Sequence, residues 1–244
     1  MNKLVLKDFI KKEDYLIYKK GNFNIVFSNA ENNRSFNRNT EEGIKNLNSI
    51  KVDFDLEEVI YINQIHSDVV YKYEKTNKNL IYEEGDAIIT NIENTAIGVF
   101  TADCVPIIII DDNNNMSAIH SGWKGTYNSI VLKTLEKMKE EFNSDINNIK
   151  IFIGPHIRKC CYEVSLELKE KFLNKTKIKE NTLFNERNLS LEECILKDIR
   201  SFNIKEDNIY SLNLCTHCEK DIKLFSYRKS VGTYGRLFSF VFYK

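Results

Sequence analysis

The stretch GVFTADCVPIIIIDDNNNMSAIHSGWKGT, residues 98–126, decides the fold. Ala96 to Thr101 reads as a strand. Val105 to Ile110 is an unbroken apolar run dominated by isoleucine, the pattern of a strand buried on both faces. Met116 to Ile119 is a further short strand that ends on His120. Strands here follow one another with no helix between them, which a doubly wound parallel sheet does not allow. A mixed sheet with helices outside fits instead, in the α/β class.

Outward from this centre the same alternation continues. Upstream, Phe23, Ile25 and Phe27 alternate strictly within a region of short strands over 1–28. Residues 29–40 are polar and read as an exposed loop. A helix is expected over 41–50, with Thr40 as N-cap and Gly43 weakening it. Glu58 to Ile65 reads as a strand ending on His66, with further extended pieces at Val69–Tyr73 and Asp86–Thr90. Downstream, Ile130, Leu132, Leu135, Met138 and Phe142 recur at helical spacing in a helix over 127–142. A strand at 150–153 runs into Gly154-Pro155-His156. Helices follow at 164–174 and 190–202, the second with Ser190 and Glu193 as a capping box. Strands at 210–214, ending on Cys215, and 237–242 complete the pattern. No repeat or linker divides the chain, so one domain over 1–244 is expected.

Composition narrows the function classes. Lys+Arg and Asp+Glu number 35 each, so formal charge is zero. That argues against a nucleic-acid binder working by bulk electrostatics and against a polybasic membrane-surface protein. Hydrophobic residues make up 42 %, enough for a globular core. No apolar run approaches the roughly 20 residues that span a bilayer, and the charged N-terminus lacks a signal-peptide core. A cytoplasmic protein is the expectation, with its six cysteines mostly reduced thiols.

Three segments share one design, an apolar strand followed by a ligand-type side chain: YINQIHS with His66, GVFTADCVP with Cys104 and MSAIHSGWKG with His120. Side chains at strand ends converge on crevices. Two imidazoles and a thiolate suit zinc, and three protein ligands leave the fourth position open, as in catalytic sites. The bland alternative makes each histidine a satisfied polar residue and Cys104 a small buried hydrophobe. Asp103 can orient a ligand histidine or cap a turn. Gly122 and Gly125 permit close backbone approach after His120, or simply turn the chain. Arg228 and Arg236, with Gly232 and Gly235 nearby, suit phosphate or carboxylate, or form a solvated basic turn. Cys215-Thr216-His217-Cys218 can be half of a structural zinc site or a redox pair. No second C-x-x-C exists, and adjacent Cys160-Cys161 suit ligation poorly, so the segment is expected to supply one pocket residue or packing. Gly154-Pro155-His156-Ile157-Arg158 is a candidate pocket wall.

NQIHSDVV, EGDAIIT, GVFTADCVPIII, AIHSGWKGT, GPHIRKCCYEV and the closing CT…FSYRK…GR resemble, in order, the blocks of the YfiH/laccase-domain family, over about 58–240. The resemblance implies a four-layer α/β/β/α sandwich with mixed β-sheets and a metal held by His66, Cys104 and His120. The metal is zinc, with copper possible from the family's laccase label. Family activities are phosphorolysis of adenosine, inosine, guanosine and methylthioadenosine, with adenosine deamination. Polyphenol oxidation and peptidoglycan editing are also ascribed to members. The N-terminal third departs from the pattern. Ser28-Asn29-Ala30-Glu31 stands where an Arg, a Gly-Gly pair and a Leu-Asn segment are usual, with Arg34 and Arg38 the nearby arginines.

The expected activity is therefore a zinc-dependent purine nucleoside phosphorylase with adenosine deaminase activity. Cys104, His66, His120 and Asp103 are its catalytic candidates, and Arg228 and Arg236 hold phosphate. The expected partners are a purine nucleoside and phosphate, with no nucleic acid and no membrane. A monomer is compatible with the sequence. The competing readings are a copper polyphenol oxidase, a cysteine-type hydrolase or peptidoglycan editing factor with Cys104 as nucleophile, and a binding module with a structural metal.

Overall fold

The computed structural model describes residues 1–76, 80–230 and 235–244. Gly232, singled out with the C-terminal arginines, lies outside the described residues. In chain order the elements are β1 (Asn2–Leu4), β2 (Ile10–Lys12), β3 (Tyr15–Lys20), β4 (Phe23–Ser28), α1 (Glu41–Asp53), β5 (Glu58–Ile60) and β6 (Val70–Lys72). There follow β7 (Ala87–Thr90), β8 (Thr95–Thr101), β9 (Val105–Ile110), β10 (Met116–Ser121), α2 (Trp123–Tyr127), α3 (Ile130–Phe142) and β11 (Lys150–Ile153). The chain continues through α4 (Leu166–Thr176), α5 (Glu180–Leu183), β12 (Phe184–Asn185), β13 (Asn188–Leu189), α6 (Leu191–Ser201), β14 (Ile209–Leu212) and β15 (Leu237–Tyr243).

Two mixed sheets carry the fold. One has seven strands in the order β1-β14-β11-β9-β10-β7-β6, the other six in the order β2-β3-β4-β15-β8-β5. The isoleucine run of β9 shows how they pack. Ile108 and Ile110 face a core shared with Phe27, Ile97, Val99 and Val241 of the other sheet. Ile107 and Ile109 face a second core under α3, α4 and α6, with Ile130, Leu135, Phe172 and Ile195. Full burial of each such isoleucine stabilises by about 1.5–3 kcal/mol before ordering entropy is subtracted. On the far side of the six-stranded sheet, Phe238, Phe240 and Phe242 of β15 pack with Leu47 and Ile50 of α1. The layers are therefore α/β/β/α, as the family resemblance implies.

Three local readings change. The helix expected over 127–142 is two helices, because Asn128 ends α2 and Ser129 takes a left-handed φ of 60° before α3 begins. Residues 29–40 are anchored by buried residues rather than exposed throughout, although Glu31, Asn32, Asn33, Asn39 and Thr40 do face solvent. Ala30 and Phe36 are fully buried, and the Arg34 guanidinium lies 5.1 Å from the Tyr15 ring and 5.2 Å from Phe36 while pairing with Asp53 at 3.0 Å. Gly43 has a role beyond weakening α1: a Cβ there would stand 1.9 Å from the Asn37 carbonyl oxygen, so the bare backbone lets the loop reach the helix. Thr40 and Ser190 do cap α1 and α6, their hydroxyls accepting from Gly43 N and Glu193 N at 3.0 and 3.3 Å.

Candidate metal centre and substrate pocket

The centre forms where the chain passes from one sheet to the other. Ala102-Asp103-Cys104 links β8 of the six-stranded sheet to β9 of the seven-stranded one, and residues 61–69, with His66, link β5 to β6 in the same sense. His120 sits near the end of β10, opposite Pro106 at the start of β9, so the antiparallel register sets it beside Cys104. The ligand atoms of His66, Cys104 and His120 all lie within 4.8 Å of one another. Cys104 Sγ is 3.9 Å from His66 Nε2, and the two imidazoles meet edge to face with centroids 4.9 Å apart. Gly122 closes the back of the group. A Cβ on it would come within 2.9 Å of His66 Cδ2 and 3.1 Å of Cys104 Sγ. A thiolate, two imidazoles and an open side fit a zinc ion with one exchangeable position. The same donors also suit copper.

Asp86 organises this geometry, and the sequence reading did not single it out. The carboxylate is fully buried. Its Oδ1 accepts from His66 N at 3.1 Å and faces His120 Nδ1 at 2.7 Å, while Oδ2 accepts from Ile65 N at 3.3 Å, Ser67 N at 2.5 Å and Ser67 Oγ at 2.7 Å. This clamp holds His66 at its left-handed φ of 60°, a conformation costing about 1–3 kcal/mol in a non-glycine residue. It also fixes the His120 tautomer, with the proton on Nδ1 and Nε2 left as the ligand atom. Burial would raise the Asp86 pKa, but the His120 and Ser67 contacts outweigh it and hold the carboxyl below its ordinary value. Gln64 is a second missed residue. Its amide donates to the Phe100 carbonyl at 2.8 Å and accepts from Phe100 N at 2.7 Å, tying the His66 segment to the end of β8.

Without a metal the ligands polarise one another. Burial alone would raise the Cys104 pKa, yet His120 and then His66 bring it down to about 6. Burial alone would lower the His120 pKa, yet the Cys104 thiolate and Asp86 push it up to about 9. Between those values the pair is thiolate and imidazolium, a ready ligand once the imidazole proton leaves.

A cavity of about 580 Å³ opens onto the three ligands. Phe100, Trp123, Ile157 and Tyr162 give it apolar walls, and Arg38, Arg228 and Arg236 give it cationic ones. Both arginines proposed from sequence therefore line the same cavity as His66, Cys104 and His120. The two arginines of the divergent N-terminal block have different places. Arg38 lines the cavity and donates to Asn63 Oδ1, while Arg34 is absorbed in packing. Asp103 does not touch a histidine. It accepts from Thr216 Oγ1 at 2.6 Å and from the Arg228 backbone N–H at 2.7 Å, so it anchors the arginine segment at the cavity wall. Its φ of 98° is held by those partners.

Of the other residues singled out, His156 lies buried with Nδ1 2.8 Å from the Gly154 carbonyl oxygen, away from the cavity. Ile157 of the same turn does line it. The adjacent Cys160 and Cys161 do meet Cys215 and Cys218: all four sulfurs lie within 4.8 Å of one another. Sequence spacing hid this grouping because the two pairs are brought together by neighbouring strands.

Known proteins resemble this chain over most of its length. A purine nucleoside phosphorylase of Clostridium acetobutylicum is 44 % identical over 236 residues, covering 96 % of this chain and 98 % of that protein. Adenosine deaminase RL5, from an unknown prokaryotic organism, is 27 % identical, covering 80 % of this chain and 79 % of that protein. The crystal structure of YfiH from Bacillus licheniformis superposes with a TM-score of 0.86 at 22 % identity, over 96 % of this chain and 98 % of that one, a likeness of fold. The family model for "Multi-copper polyphenol oxidoreductase laccase" matches residues 17–244, and the chain belongs to this laccase-like family of YfiH fold.

Proposed function

We propose that the protein, acting as one domain, is a zinc-dependent purine nucleoside phosphorylase that also deaminates adenosine. The observation that carries the reading is one cavity lined by a Cys–His–His ligand set and three arginines. The high identity to a protein named purine nucleoside phosphorylase supports it. His66, Cys104 and His120 would hold the metal. Bound zinc supplies Lewis-acid polarisation and acidifies a water at its open position.

The chain's own groups account for the rest. Arg38, Arg228 and Arg236 present guanidinium forks for phosphate. Phe100, Trp123 and Tyr162 offer flat apolar surface to a purine. Asp103 steadies Arg228 through its backbone. In phosphorolysis a phosphate oxygen bonds to C1′ of the ribose as the bond from C1′ to the base nitrogen breaks, and the base leaves with the bonding pair and takes a proton. Holding phosphate against C1′ is the arginines' task. Adenosine, inosine, guanosine and methylthioadenosine are the substrates to examine.

A multi-copper centre does not fit the donors. Such clusters need many histidines, and of the four in this chain His156 is bonded to Gly154 and only His66 and His120 join the group. A single copper at the same ligands is settled by metal analysis. A second reading, a cysteine hydrolase or cell-wall editing enzyme, is favoured by the low Cys104 pKa and the 3.9 Å approach of His66. A chelator separates the two, since metal removal abolishes the first and spares the second. The primary assay is purified metal-loaded protein with inosine and phosphate. Hypoxanthine release that requires phosphate is expected, and its absence with metal bound overturns the phosphorylase reading.

A further inference from the structure

Cys160, Cys161, Cys215 and Cys218 lie outside the cavity, and the reaction proposed above gives them no task. Their meeting follows from topology. β11 and β14 are parallel neighbours, with Ile153 opposite Ser211, so the loops that follow them leave the sheet side by side. A bridge between His156 and Cys215, with Thr216 N donating to the His156 carbonyl at 3.1 Å, continues the pairing beyond the strands. The chain at 158–162 then turns tightly, Cys161 N and Tyr162 N both donating to the Arg158 carbonyl. That turn lets two adjacent side chains reach the same point, which an extended segment forbids because successive side chains alternate.

The sulfur spacing is informative. Cys160 Sγ and Cys218 Sγ are 3.6 Å apart, and all four sulfurs fall within 4.8 Å of one another. A disulfide needs about 2.05 Å and uses two sulfurs only. Four sulfurs around a tetrahedral zinc, each at about 2.3 Å, stand about 3.8 Å apart.

We propose that Cys160, Cys161, Cys215 and Cys218 form a second, closed metal site that binds zinc through four thiolates. Binding displaces a proton from each thiol still protonated and changes no oxidation state. The site staples the two loops that support the cationic wall of the cavity. On one loop Tyr162 lines the cavity beside Arg228, whose Nη1 donates to the Glu163 carbonyl at 3.0 Å. On the other, Thr216 donates to Asp103, which in turn holds the Arg228 backbone. This assignment stands whatever reaction the cavity performs.

The test is metal stoichiometry on the full chain purified with zinc under reducing conditions. The wild type is expected to hold about two zinc ions and Cys104→Ala about one, since a closed four-ligand site survives loss of the other. Cys218→Ser is expected to drop to about one and to melt at lower temperature. Cobalt loaded into Cys104→Ala provides a readout independent of activity: the spectrum is that of tetrahedral cobalt with strong thiolate-to-metal charge transfer. If Cys218→Ser fails to fold, alkylation of wild type decides. The four thiols are protected with zinc bound and become reactive after chelation. A folded Cys104→Ala protein that binds neither zinc nor cobalt, four thiols reactive with or without chelator, or recovery of a disulfide within the group overturns the proposal.

Discussion

Replacing Asp86 with Asn is nearly isosteric, yet it leaves no satisfactory orientation of the new amide. With its NH2 in place of Oδ2, it faces the Ile65 and Ser67 backbone donors, and only the Ser67 hydroxyl can rotate to accept. With its NH2 in place of Oδ1, it faces the His66 N–H and donates to His120 Nδ1, which moves the histidine proton to Nε2, the metal-binding nitrogen. Either way about two hydrogen bonds to a buried charge are lost, at ~1.5–3 kcal/mol each. The metal-free protein is therefore destabilised by about 3–6 kcal/mol, or roughly 6–24 °C in Tm for a chain of this size. Metal affinity falls by about 10–100-fold through the misoriented imidazole. Thermal unfolding with chelator and competition titration with a zinc indicator measure the two effects separately. Because the native Asp86 pKa is depressed, its stabilisation is complete above the ordinary carboxylate range and is lost as pH falls through the native value. The stability gap to the variant should accordingly close only in acid. Wild-type zinc affinity together with a Tm within about 2 °C of wild type refutes the clamp.

Four further outcomes follow from the same geometry. In metal-free protein, Cys104 alkylation should titrate with a midpoint near pH 6, and mutation of His120 to Gln should return it to the ordinary thiol range. The stability contributed by the raised His120 pKa is present below its unfolded value and is lost as pH rises through about 9, so metal-free unfolding followed against pH should show a decline there. Gly122→Ala forces a methyl against His66 and Cys104, and about 1–3 kcal/mol of overpacking should appear as weakened metal binding with secondary structure retained by circular dichroism. Arg38→Met should lower kcat/KM for phosphate by roughly 10- to 100-fold, with zinc content unchanged in the same preparation.

The core of the fold was legible because β9 states it locally. Four consecutive isoleucines alternate between two cores, so a strand covered on both faces is the reading that satisfies them. The meeting of His66, Cys104 and His120 was legible because each stands at the end of an apolar segment. What supports them was not. Asp86 was quoted within a strand segment, but its partners are backbone amides 19–21 residues earlier in the chain, and composition carries no trace of them. Residues 29–40 read as exposed because their polar majority hides two apolar anchors and an arginine packed on aromatic rings. The cysteine group depends on parallel pairing of β11 with β14, a contact between segments far apart in sequence.

The position of β15 bears on how the protein is made. It lies between β4 and β8, pairing with both along most of its length, although it is the last described strand in sequence. During synthesis β4 and β8 emerge long before the strand that separates them, so two apolar edges stay open and the aromatic core over α1 lacks Phe238, Phe240 and Phe242. Such edges invite pairing with each other or with another nascent chain. Folding of the six-stranded sheet is thus deferred until β15 is available, and truncation within 237–243 is expected to yield an aggregation-prone chain rather than a smaller folded one.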